Sequence, residues 1–119
     1  MAGLEHNDFS SPDEVRRPHD TVAVEVVRLG DGEVGRYTFQ PGWRWSEHVR
    51  PVVGGDSCQT LHLGYVVSGT LGVSFDDGSS GEVPAGSVYR IPPGHDGWVV
   101  GDEPAVVVEF QGAAHYGKG

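Results

Sequence analysis

The stretch Thr60-Leu-His62-Leu-Gly64-Tyr-Val-Val-Ser-Gly69-Thr-Leu71-Gly-Val73-Ser-Phe75-Asp-Asp-Gly78-Ser79 reads as two strands and two turns. Thr60 to Ser68 is rich in the β-branched and aromatic residues that suit a pleated, half-buried surface. Gly69 ends that run. Leu71, Val73 and Phe75 then alternate with small or polar residues, the period of a strand with one buried face. Asp76-Asp77-Gly78-Ser79 supplies a hairpin turn, because Asp and Gly accept the backbone angles a tight reversal needs.

The same signals continue in both directions. Upstream, Val22, Val24 and Val26 alternate before a turn at Gly30-Asp31-Gly32, and Gly35 to Gln40 forms a second strand stopped by Pro41-Gly42. Trp43 to His48 alternates as a third strand, and Pro51 to Asp56 is a Gly-containing loop. Downstream, strands are expected around Val88–Ile91, Trp98–Val100 and Ala105–Phe110. No segment sustains a 3.6-residue period over ten residues. Many short strands at regular spacing, with little helix, predict an all-β sandwich or closed antiparallel barrel. The 19 glycines and 8 prolines fit the turns such a fold needs. Residues 1–20 lack a period and read as an irregular arm, in which Ser11-Pro12 suits the start of a brief helical turn. Residues 21–112 form the domain, and 113–119 a C-terminal tail.

Composition narrows the partners. The 119 residues carry a formal net charge of −9, a field that repels phosphate backbones and anionic lipid, so neither nucleic acid nor membrane is an expected partner. Cys58 is the single cysteine, which forbids an internal disulfide and suits a reducing compartment. With no apolar run of membrane-spanning length and no basic-then-apolar start, a cytoplasmic location is expected. No glycine-rich phosphate loop, serine nucleophile elbow or thiol pair is present.

Two segments carry a resemblance. In the first, Gly42 is followed after five residues by His48, and His62 stands seven residues before Gly69. In the second, Gly86-Ser-Val-Tyr89-Arg-Ile-Pro92-Pro-Gly94-His95 spaces Gly, Pro and Gly in order. Together they resemble the two motifs of the cupins, small β-barrels that often hold one metal ion in the barrel mouth. The resemblance covers roughly residues 21–112 and implies a jelly-roll-like antiparallel barrel, commonly a homodimer. It departs from the family in four respects. Arg50 and Gly97 stand where histidines are usual, His62 stands where a glutamate is usual, and the interval from His48 to His62 is longer.

Carried over by position, His48 and His62 are candidate metal ligands; His95, two residues before the family's histidine position, is carried over as a displaced ligand, and Cys58 is a candidate fourth. Such a set suits one divalent transition metal, Zn, Fe, Ni or Cu, and a thiolate favours zinc or copper. Cys58 is equally suited to core packing. Four residues of straight strand span ~13 Å, so Cys58 and His62 share an ion only across a bend. His6, His19 and His115 lie near the termini and read as solvated. Asp56 and Asp96 read as turn residues, and Asp96 alternatively as an acceptor that orients an imidazole.

Trp43, Trp45, Tyr65, Tyr89 and Trp98 surround these positions in sequence and are the candidate wall of a pocket for a small-molecule ligand. Filling the core, or packing on an outer face for Trp43 and Trp45, is the alternative role for tryptophan. Three function classes follow: a metal-binding module with a sensory or accessory role, which is the reading adopted; a metal-dependent oxygenase, isomerase or lyase; and a metal-free ligand-binding barrel.

Overall fold

The computed structural model describes residues 3–111, so the expected tail at 113–119, with His115, lies outside the described residues. Nine strands and two single helical turns follow one another. They are β1 (Glu14–His19), β2 (Val22–Leu29), β3 (Gly32–Phe39), α1 (Trp45–His48), α2 (Arg50–Val53), β4 (His62–Ser68), β5 (Thr70–Phe75), β6 (Ser80–Pro84), β7 (Val88–Ile91), β8 (His95–Val99) and β9 (Ala105–Gln111). All pairings are antiparallel, in a six-stranded sheet β1-β2-β3-β9-β4-β7 and a three-stranded sheet β6-β5-β8. The fold is all-β, as the alternating pattern requires, and its strands form two facing sheets.

Alternation decides which residues meet between them. Val22, Val24 and Val26 of β2, Tyr37 and Phe39 of β3, Val66 of β4, Leu71 and Val73 of β5, Val99 of β8 and Val107 of β9 are buried in one core. Each buried valine contributes roughly 1.5 kcal/mol or more by removal from water. Gly69 carries the chain from the larger sheet into the smaller, with φ at +75°.

Two stretches differ from the sequence expectation. Glu14–His19 is no part of an irregular arm: it pairs with β2, and Arg16 lies buried against Glu14. Before it, the chain turns at Asp8, whose carboxylate accepts from the Ser10 backbone N–H at 2.9 Å, and no helical turn opens at Ser11. The expected strand from Trp43 to His48 is also absent. Pro41-Gly42 and Pro51 punctuate the segment, and the four residues Trp45–His48 close a helical turn instead. Both tryptophans are thereby turned into the core, each 3% exposed, which overturns the outward packing that strand parity suggested. No helix among the described residues is long and apolar enough to cross a membrane.

The segment between β3 and β4 has a structural task. The edge of β8 that does not pair with β5 is covered by two isolated bridges, Arg44 with Trp98 and Cys58 with His95. The Cys58 backbone N–H donates to the His95 carbonyl at 2.7 Å, and Gly94 N–H donates back to the Cys58 carbonyl at 2.8 Å. Cys58 is thus anchored on the small sheet, while His62 opens β4 in the large one.

Candidate metal centre

Cys58, His62 and His95 converge. One donor atom from each lies within 4.8 Å of the others, and all three residues are buried. The bend that a shared ion would require is present, because residues 59–61 cross from the small sheet to the large one. Cys58 Sγ stands 3.8 Å from His62 Nε2. The His62 and His95 rings meet edge to face with centroids 5.2 Å apart.

The partners behind the two imidazoles fix their tautomers. His95 Nδ1 lies 2.8 Å from the Pro92 carbonyl oxygen, and His62 Nδ1 lies 2.6 Å from Glu109 Oε1. Both oxygens are acceptors, so Nδ1 carries the proton and donates in each case. In the neutral imidazole that leaves Nε2 as the lone-pair atom, as a ligating histidine needs. Two nitrogen donors and one thiol with suitable tautomers fit a borderline divalent ion.

Charge within the cluster reinforces this. Burial alone would push the Cys58 thiol up, but hydrogen bonds and charge from His62 and His95 outweigh it and bring it down to about 6. Burial alone would lower His62; the bonds and charges of Cys58 and Glu109 outweigh it and hold His62 at about 9. Near neutral pH the metal-free cluster is therefore a thiolate beside an imidazolium. Tyr89 donates its hydroxyl to Glu109 Oε2 at 2.6 Å. Burial, then the charge and hydrogen bond of Glu109, push that phenol far up, so it remains a neutral donor.

His48 is not brought to this cluster. It ends α1, where its Nδ1 accepts from the Arg44 backbone N–H at 3.1 Å and its ring stacks on His19 at 4.3 Å. The helical turn that replaces the expected strand is the cause. Asp96 turns outward to accept from the Ser46 backbone N–H at 3.0 Å and from Arg44, and it orients no imidazole.

Of the five expected wall residues, Trp43 and Trp45 line the cavity at the cluster, beside Tyr37, Phe39, Leu71 and Ile91. Tyr89 lies buried behind it on Glu109. Tyr65 points outward and is 41% exposed. Trp98 sits on the outer face of β8 beneath the Arg44 guanidinium, 4.7 Å from ring centroid to Cζ. Among the described residues lining the cavity there is no Lys or Arg. Sequence reading missed Glu109, although its inward parity with Ala105 and Val107 was a usable signal: a carboxylate at a core position of a strand needs a partner.

No family model matches the chain, and no curated protein matches it in sequence. Solved structures do resemble it. KdgF from Halomonas sp. is 17% identical, with a TM-score of 0.62 and 91% of each chain covered. A cupin-like protein from Thermotoga maritima is 19% identical, with a TM-score of 0.54 over 79% of this chain and 70% of that one. Oxalate decarboxylase from Lactobacillus farciminis is 19% identical, with a TM-score of 0.60 over 87% of this chain but 32% of its own longer chain. At these identities the likeness is one of fold, and the fold of this chain is cupin-like.

Proposed function

We propose that this protein binds one divalent transition-metal ion through Cys58, His62 and His95, and uses the adjoining aromatic cavity to hold a small molecule in a sensory or accessory role. One observation carries the reading: three donors of suitable chemistry converge in the core, and both imidazoles have their Nδ1 protons tied to acceptors. Zinc or copper suits the thiolate best, and iron or nickel the imidazoles. The bound ion would supply a Lewis-acidic centre. The chain's own part is to fix three donors and wall them with Trp43, Trp45 and Phe39. A three-donor site also leaves a coordination position for a substrate, which favours a metal-dependent enzyme as the second reading.

Elemental analysis of tag-free protein tests the proposal. About one ion per chain, retained through desalting, is expected. No ion after incubation with Zn²⁺, Cu²⁺, Fe²⁺ and Ni²⁺ would leave a metal-free barrel.

Binding should also depend on pH in a defined direction. Between about pH 6 and about pH 9 Cys58 is a thiolate and His62 carries one proton that the ion must displace. Observed affinity should therefore rise about tenfold per pH unit in that window and more steeply below it, where Cys58 is protonated too. A calorimetric titration across the window that found a flat affinity would contradict the assigned protonation states.

A further inference from the structure

Tyr89, Glu109 and Gly64 form a second layer behind the cluster. β4 lies between β7 and β9, and Gly64 on β4 pairs with Tyr89 on one side and Glu109 on the other. Side chains two strands apart start about 9–10 Å from each other, with the middle strand's side chain normally between them. Here the middle residue has none. A Cβ at Gly64 would stand 2.8 Å from the Tyr89 hydroxyl and 2.9 Å from Glu109 Cγ. Through that gap Tyr89 reaches Glu109 Oε2, while Glu109 Oε1 takes the His62 Nδ1 proton. Both carboxylate oxygens are engaged, so the carboxylate has no free rotation and the His62 ring plane is set by it. Glu109 is 4% exposed, and this hydrogen-bonded chain accounts for its burial.

Resting on the metal-binding reading, we infer that Glu109 is the positioning residue of the centre, locked by Tyr89 across the opening at Gly64, and that it sets the orientation and donor strength of His62 toward the ion. Its carboxylate, histidine and donor order is the arrangement by which outer partners tune a ligating imidazole.

The test compares wild type, Glu109→Gln and Tyr89→Phe, all checked for an unchanged fold by circular dichroism. Co²⁺ serves as a probe that reports coordination by its visible spectrum. Glu109→Gln keeps the shape but loses the charge, and should weaken Co²⁺ binding about 10–100-fold with an altered spectrum. Tyr89→Phe frees one carboxylate oxygen and should shift both in the same direction by less. Unchanged affinity and spectrum in both variants would overturn the inference while leaving the metal site standing.

A second readout needs no metal. In ¹⁵N-histidine spectra of the metal-free protein, a protected His62 Nδ1–H resonance is expected in wild type and should move upfield in Glu109→Gln, where a neutral acceptor replaces a charged one. If wild type takes up no Co²⁺, the metal reading fails, and this resonance alone decides the positioning role. An identical resonance in both proteins, or none in wild type, would refute it.

Discussion

Replacing His62 by alanine is expected to empty the metal centre, taking content from about one ion per chain to near zero after desalting. A structural zinc site is worth about 10–16 kcal/mol, or roughly 2.5–5 kcal/mol for each of three or four ligands. Losing one donor should thus weaken binding on the order of 10²–10⁴-fold. The variant also strands Glu109, whose Oε1 loses its donor inside the core, so some loss of stability is expected with it. Cys58→Ser separates the two effects, because it removes the soft donor and leaves the His62 and Glu109 pair intact. His48→Ala is the control and should retain the ion, since that side chain is engaged with Arg44 and His19. Full metal content in His62→Ala, or its loss in His48→Ala alone, would place the centre elsewhere.

That control shows where sequence reading stops. The strands of the core were legible, because period-two alternation in Val22–Val26, Leu71–Phe75 and Ala105–Glu109 is a direct consequence of burying one face. His62 and His95 were legible as candidates from their spacing to Gly69 and Gly94, and each begins a strand facing inward. His48 met the same spacing rule but occupies a segment whose conformation the pattern misreads. Trp-Arg-Trp-Ser-Glu-His alternates like a strand, yet Asp96 caps its backbone from 50 residues away, and no local signal announces that contact. Cys58 is the reverse case. Its separation from His62 argued against a shared site along straight strand, and only the change of sheet between them brings them together. Glu109 and Gly64 depend on strand order, in which β4 separates β7 from β9, and a single sequence does not print strand order.

Gly69→Ala is expected to be the most destabilising small change in the fold. Two costs act together at this residue. Its φ of +75° lies in the left-handed region, where an alanine costs about 1–2 kcal/mol. A Cβ there would also collide with backbone, against the Pro104 carbonyl oxygen and 2.7 Å from Ala105 Cα, adding about 1–3 kcal/mol of overpacking. The sum, about 2–5 kcal/mol, is a large share of the roughly 5–15 kcal/mol that holds a domain folded. At about 4 °C per kcal/mol, the melting temperature should fall by roughly 8–20 °C. Gly78→Ala isolates the first cost, because Gly78 also has a positive φ, +90°, but a Cβ there meets nothing within 4 Å. Equal melting temperatures for the two variants would show that the turn relaxes and that the collision is not a constraint. The collision should also reach the metal centre. Ala105 begins β9, the strand that carries Glu109, so displacing it pulls on the carboxylate that holds His62. Gly69→Ala is therefore expected to lose metal affinity as well as stability, whereas Gly78→Ala, in the turn between β5 and β6, should lose only stability.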